Sequence, residues 1–136
     1  NLLLGRLDEA RRSAARGLEL CRTIGFAYGV GLAERNLGRL ALAAGTHAEA
    51  ATHLATARDL FAGMGSRHEV ARTVLAQAAL AHARGDTAQA AALLDEARAA
   101  FQALGMPALV ARADHLAREW APEPGGDEGA RLSTVA

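Results

Sequence analysis

The chain has 136 residues, a length typical of a single domain. Hydrophobic residues make up 51% of it but aromatic residues only 4%, which favours thin, closely packed helices over a thick core. The 15 acidic residues balance 15 basic residues, all of them arginine, so no global basic field argues for direct contact with nucleic acid. Because no apolar run could span a membrane and Cys21 has no partner for an internal disulfide, we expect a cytoplasmic protein without a membrane segment.

A six-residue pattern recurs along the chain at a spacing of 40 residues. It begins at Gly5, Gly45 and Gly85, and each copy ends with Glu or Gln followed by alanine. A glycine past the end of one helix can adopt the left-handed conformation that closes it, and Thr46 or Asp86 can then accept N–H bonds at the start of the next helix. The pattern therefore predicts the same helix–helix turn three times, which is typical of a repeat protein.

The predicted helices follow from these turns and from an apolar residue and glycine that end every second helix, at residues 24–25, 64–65 and 104–105. Residues 1–4 align with the end of a helix whose body is missing, so we interpret the chain as a fragment cut inside a repeat. The remaining helices run over residues 7–24, 27–44, 48–64, 67–84, 88–104 and 107–120. This organisation gives a partial repeat (1–25), two full repeats (26–65 and 66–105), a final helix (106–121) and a tail (122–136).

The second helix of each unit carries an apolar stripe at helical spacing. The stripes are Ala50, Leu54, Ala57, Phe61 and Met64 in one unit, Ala90, Leu94, Ala97, Phe101 and Leu104 in the next, and more weakly Ala10, Ala14, Gly17, Cys21 and Ile24 in the first. Cys21 thus aligns with two phenylalanines, which predicts a small buried hydrophobe rather than a reactive thiolate. After Trp120 the sequence has no stripe and is rich in proline and glycine, so we expect residues 122–136 to be disordered.

A family resemblance emerges from residues 36–40 (Asn-Leu-Gly-Arg-Leu) and the glycine and small residues that follow them. The pattern resembles the tetratricopeptide repeat, which has a Leu-Gly pair in its first helix, a glycine at the turn, and small residues where the second helix crosses the first. It covers residues 1–120, although repeat 3 has Gln77-Ala78 at the Leu-Gly position and repeat 4 has Ala117-Arg118, which predicts an edge unit. The resemblance implies an all-α, right-handed superhelical solenoid of antiparallel helix pairs.

The period of 40 residues is longer than the usual 34 or so of this family and is shared by HEAT and armadillo repeats. The long-period variety, with an apolar residue and glycine closing each second helix, resembles the helical arms of bacterial signal-transduction ATPases, including LuxR-type regulators of the maltose-activator kind. Five histidines are present, but no pair has the i, i+4 spacing of a two-histidine site, and no nucleotide-binding or nucleophile motif occurs. We therefore expect no metal, no cofactor and no enzymatic activity.

In tetratricopeptide arrays the first helix of each pair lines a groove, and the resemblance marks the groove positions in this chain. The residues expected to bind a ligand or partner are Leu32, Arg35, Arg39, Leu42, Arg72, Leu75, His82, Arg112 and His115, with Ala79 and Glu119 beside them. Arginine's planar guanidinium suits a carboxylate or phosphate. Alternatively, the arginines only solvate helix faces and pair with neighbours such as Glu34 or Asp114. Of the Lys/Asn set with which some family members clamp a C-terminal carboxylate, only Asn36 is present, so that activity is not implied.

These observations favour a non-catalytic protein- or peptide-binding module with an acidic partner, within a larger bacterial regulatory or scaffold protein. The alternative is the effector-sensing arm of a multidomain ATPase transcription regulator that binds a small ligand in its groove. Because the first helix lacks its own partner helix, we also expect some of Leu7, Leu18, Leu20 and Ile24 to be exposed and to allow self-association.

Overall fold

The computed structural model describes residues 2–122, which form six α-helices and their connections. The helices are α1 (Leu2–Ile24), α2 (Ala27–Ala43), α3 (His47–Gly63), α4 (Arg67–Ala83), α5 (Thr87–Ala103) and α6 (Pro107–Trp120). This range contains no strand, which confirms the predicted all-α class. The helices α4 and α5 begin and end 40 residues after α2 and α3, as the sequence period predicts. Apart from Pro122, the predicted disordered tail lies outside the described residues.

The turns between helices share one hydrogen-bond arrangement. Between α2 and α3, the amide of Thr46 donates to the carbonyl of Ala41 at 2.9 Å, and the amide of Gly45 donates to Leu42 at 3.0 Å. This pair of hydrogen bonds requires a residue in the left-handed conformation after the helix, and Gly45 has a φ of 81°. Among residues 2–122, the glycines with positive φ are Gly25, Gly45, Gly65, Gly85 and Gly105.

The turn predicted at Gly5 is wrong. Helix α1 runs without interruption from Leu2 to Ile24, so residues 2–4 do not end a separate helix. At Gly45 the helices on the two sides of the turn pack on each other, which offsets the cost of the chain reversal. Leu2, Leu3 and Leu4 are instead exposed, so their burial offsets no such cost, and leucine propagates a helix readily.

The two polar residues that were expected to cap helices behave differently. Asp86 accepts a hydrogen bond from the backbone amide of Gln89 at 3.1 Å, as predicted. Thr46 does not cap α3, because its hydroxyl instead donates to the carbonyl of Ala41 at 3.0 Å. A hydroxyl can donate as well as accept, so it can close the preceding helix, a role that an aspartate carboxylate cannot take. Pro107 occupies the first turn of α6, where its missing N–H leaves no bond unmade.

Each helix packs on the next one in the chain, and α2 also contacts α4. At the crossing of α2 and α3 a side chain on Gly38 would lie 2.8 Å from Leu54, so the Leu-Gly pair has a steric reason. Ala78, in the same position of α4, is fully buried. Arg118, in the same position of α6, is exposed, which agrees with an edge unit because no helix crosses α6 there within the described chain.

The predicted stripes of α3 and α5 form the core. The first four residues of each stripe are buried, whereas the fifth, Met64 or Leu104, is exposed at the helix end. In α1 the stripe is only half-buried, so Cys21 is not the fully buried hydrophobe that we expected. Helix α1 leaves Leu20 61% and Ile24 65% exposed. Self-association through this face stays a prediction.

Candidate functional site

A cleft of about 710 Å³ opens between α2, α4 and α6. One arginine from each helix lines it, namely Arg39, Arg72 and Arg112. Its apolar part consists of Leu75, Ala76 and Ala79 from α4 and of Ala108, Leu109, Leu116 and Trp120 from α6. We call this surface the arginine cleft. Most of the lining residues of α4 and α6 are three or four positions apart, the spacing that places side chains on one face of a helix.

The arginine cleft carries positive charge that the described residues do not neutralise. None of its lining residues within residues 2–122 is acidic. Within residues 2–122, Arg39 and Arg112 make no hydrogen bond or ion pair, and the Nε atom of Arg72 is 3.8 Å from an oxygen of Glu69. Partial burial, followed by the charges of Arg35 and Arg72, holds the pKa of the Arg39 guanidinium below its ordinary value. An arginine nevertheless stays protonated at neutral pH, so the cleft attracts anions.

Arg35 was expected to face the groove, and here the structure corrects the sequence. Its side chain is buried and donates to the Glu69 carboxylate at 3.2 Å, to the Glu69 carbonyl at 3.2 Å and to the hydroxyl of Thr73 at 3.4 Å. Its guanidinium also lies 5.3 Å from the ring centre of Phe61. Arg35 therefore holds α2 against α4 and α3, and it is not available to a ligand.

Glu69 is the centre of this buried cluster. Besides Arg35, the hydroxyl of Tyr28 donates to the Glu69 carboxylate at 2.6 Å. Burial by itself raises the pKa of the Glu69 carboxyl, but the hydrogen bond from Tyr28 and the charge of Arg35 outweigh it, so the pKa lies below the ordinary glutamate value. Conversely, the bond to Glu69 and then burial raise the pKa of the Tyr28 hydroxyl. The cluster is therefore a charged carboxylate with a buried guanidinium and a neutral phenol.

The remaining predicted groove residues divide between the cleft and other environments. Leu75 and Ala79 line the cleft. His82 stacks on Trp120, with ring centres 4.4 Å apart, and so supports the cleft wall from outside. Leu32 is exposed and does not line the cleft, and Leu42 packs against the core. His115 and Glu119 form an exposed pair with each other at 3.2 Å, away from the cleft lining.

The alternative that groove arginines pair with Glu34 or Asp114 is wrong in detail. Glu34 is buried and binds Arg22 at 3.2 Å and Nδ1 of His53 at 2.7 Å, which joins α1, α2 and α3. Asp114 binds Arg98 at 2.6 Å across α5 and α6.

Sequence reasoning missed two residues that shape the site. Trp120 is four positions after Leu116 and therefore on the same helical face, a spacing that could have placed it in the cleft. Glu69 carries no local signal as a partner for Arg35, because the two residues are 34 positions apart and only the packing of α2 on α4 brings them together.

Other chemistry is sparse in the part of the chain that the structure describes. No group of three or more histidine, cysteine, aspartate and glutamate side chains converges there as a metal site would require. No helix of residues 2–122 is both long and apolar enough to cross a membrane. Comparisons of the chain with family models, curated proteins and solved structures found no match to it.

Proposed function

We propose that this chain is a non-catalytic binding module whose arginine cleft takes an acidic peptide segment of a partner protein. The observation that carries the proposal is the pair Arg39 and Arg112, two accessible arginines without partners among residues 2–122. Apart from Arg72, the other lining residues of the cleft are apolar, and we call them its apolar floor. Guanidinium groups bind carboxylates with two parallel hydrogen bonds, and an apolar floor accepts the apolar side chains between them. A peptide that mixes acidic and aliphatic residues matches both features.

The proposal includes the architecture expected from the tetratricopeptide resemblance. Two helix pairs with bounds 40 residues apart and one repeated turn support a superhelical array, since a constant geometric step between units generates a superhelix. The right hand of this superhelix is what the resemblance implies. In such an array the first helices of the pairs, here α2, α4 and α6, share one elongated surface. A surface of this kind suits an extended peptide. We further propose a cytoplasmic location for the module.

The test uses a fluorescein-labelled peptide of six residues that alternate glutamate and leucine, with a glutamine–leucine peptide for comparison. Fluorescence anisotropy should show binding of the first peptide that weakens as salt increases, because exposed charges are screened. The variant Arg39→Gln/Arg112→Gln should bind about tenfold more weakly, equivalent to about 1.4 kcal/mol. Its control is Arg6→Gln/Arg12→Gln, which removes two exposed arginines of α1 without described partners.

Three outcomes would contradict the proposal. Equal loss of affinity in the control variant would indicate attraction by net charge alone. Equal binding of the glutamine peptide would remove the role of the arginines. Tighter binding of a single-stranded oligothymidylate, lost in the cleft variant, would instead assign the cleft to phosphate groups.

A further inference from the structure

The chain carries a candidate ligand for its own arginine cleft. Residues 123–128 read Glu-Pro-Gly-Gly-Asp-Glu, with three acidic residues and no basic one. They begin three positions after Trp120, which itself lines the cleft. The α6 wall of the cleft, with Trp120 and Arg112, is therefore followed closely in the chain by a negatively charged segment.

We propose that residues 123–128 bind in the arginine cleft and compete there with an acidic partner. Glu123, Asp127 and Glu128 supply the carboxylates, and Arg39, Arg72 and Arg112 receive them. The inference rests on the proposed function, because it assigns an internal competitor to the same site. It makes access to the cleft depend on displacement of the tail.

The chain length permits this contact. Arg112 precedes Trp120 by eight positions in α6, a distance of about 12 Å along the helix axis at 1.5 Å per residue. The six residues that follow Pro122 can span about 20 Å when extended. Gly125 and Gly126 give the backbone the conformational freedom that a reversal toward α6 requires. Asp127 and Glu128 can thus reach Arg112 without any unwinding of α6.

The strength of the contact follows from its being intramolecular. A ligand joined to its site by a few residues has an effective concentration in the millimolar range, so even carboxylates that bind the cleft weakly occupy it for much of the time. Exposed ion pairs contribute little each, so a partner peptide that also uses the apolar floor can displace the segment. The tail then lowers the apparent affinity for the partner by about 3- to 10-fold rather than abolishing binding.

The test compares variants of the full chain with the labelled glutamate–leucine peptide as the probe. The tail variant Glu123→Gln/Asp127→Asn/Glu128→Gln should bind the peptide about 3- to 10-fold more tightly than the unmodified chain. The matched control is Asp8→Asn/Glu9→Gln/Asp59→Asn, which changes the net charge equally at three exposed acids without described partners. Fluorescence of Trp120, the single tryptophan, provides a second measurement, since release of the tail from the cleft should change its emission.

Each result distinguishes the two proposals. Tighter binding in the tail variant alone, with altered Trp120 emission, supports the internal competitor. Equal affinity for the unmodified chain and the tail variant overturns it, and the proposed function then stands because the peptide still binds. Equal gains in the tail and control variants also overturn it, because net charge would explain them. If no variant binds the peptide, the proposed function fails together with this inference.

Discussion

The two full helix pairs, α2–α3 and α4–α5, share their helix bounds and turns but bury their phenylalanines by different means. Phe61 and Phe101 occupy the same position of the repeat, and both are completely buried. Phe101 belongs to an apolar cluster with Ala71 and Val74, and Leu75 packs against that cluster. Phe61 instead lies under the guanidinium of Arg35 and against Tyr28. The repeat thus fixes where the aromatic ring lies and leaves open what covers it.

We call the region between successive first helices, next to the phenylalanine, a junction. The polar junction, of α2 with α4, requires more space than the apolar junction, of α4 with α6. In α2 the position of Ala71 is taken by Gly31, where an added Cβ would lie 2.7 Å from the ring of Phe61. Arg35 and Glu69 occupy the repeat positions of Leu75 and Leu109, both of which pack against the apolar cluster. A buried ion pair therefore joins α2 to α4, whereas the same repeat positions in α4 and α6 carry leucines that pack against the apolar cluster. This difference shows that the repeat tolerates a charged junction when Arg35 and Glu69 occur together with the small residue Gly31.

The largest expected effect on stability comes from replacing one residue of the Arg35–Glu69 ion pair. The variant Glu69→Leu leaves the guanidinium of Arg35 buried without its carboxylate, so we expect the free energy of unfolding to fall by about 3–5 kcal/mol. Urea unfolding followed by circular dichroism at 222 nm measures the change. A loss below about 1 kcal/mol would show that solvent reaches Arg35 and that a buried ion pair does not hold the junction together.

The double variant Arg35→Leu/Glu69→Leu sharpens the comparison, because it places at the first junction the residues of the second. Replacement of a buried ion pair by apolar residues is often neutral or stabilising. We therefore expect this variant to recover most of the stability that Glu69→Leu loses. Failure to recover it would mean that the bond from Tyr28 or the backbone around Thr73 depends on the charges.

A smaller effect is expected from Gly31→Ala. The added methyl group would press on the ring of Phe61, and overpacking of this kind costs about 1–3 kcal/mol, partly offset by the better helix propensity of alanine. Gly17→Ala is the matched control, because Gly17 also lies within a helix but has nothing within 4 Å of its Cβ position. The control should be stabilised by up to about 1 kcal/mol. Similar unfolding curves for the two variants would show that Phe61 can move aside.

The sequence predicted the parts of the fold that depend on local chemistry and periodicity. Glycines at a constant spacing located the turns, and the stripes of α3 and α5 identified the core, because both follow from rules that act within a few residues. Gly5 misled the prediction because its sequence matches a turn while no helix packs on the segment before it. The pattern indicates a preference for a turn, and packing decides whether the chain adopts that turn.

The site was predictable in part, through the family resemblance. The resemblance to tetratricopeptide repeats placed Arg39, Arg72 and Arg112 at groove positions, and all three line the cleft. It placed Arg35 there as well and could not show that Arg35 is buried, because its partner Glu69 belongs to another helix and the pairing depends on how α2 packs on α4. A long-range ion pair leaves no local pattern, so a buried arginine and a free one look alike in a sequence.

The smallest expected effect concerns the acid sensitivity of the ionic junction and is tested by Tyr28→Phe. Since the pKa of Glu69 is lower in the folded chain than the ordinary value of about 4.3, its ionised form stabilises the fold above that pH, and this contribution is lost as the pH falls through the lowered pKa. Loss of the Tyr28 hydroxyl removes a bond to the carboxylate and so brings the pKa of Glu69 closer to the ordinary value. We therefore expect acid unfolding, followed by circular dichroism, to begin at a higher pH in Tyr28→Phe than in the unmodified chain, with little difference at pH 7 in the shape of the spectrum. The control is the double variant Arg35→Leu/Glu69→Leu with and without Tyr28→Phe, in which the apolar junction should make the acid midpoint insensitive to the hydroxyl. An equal shift in both backgrounds would show that Tyr28 acts through its packing on Phe61 and not through Glu69.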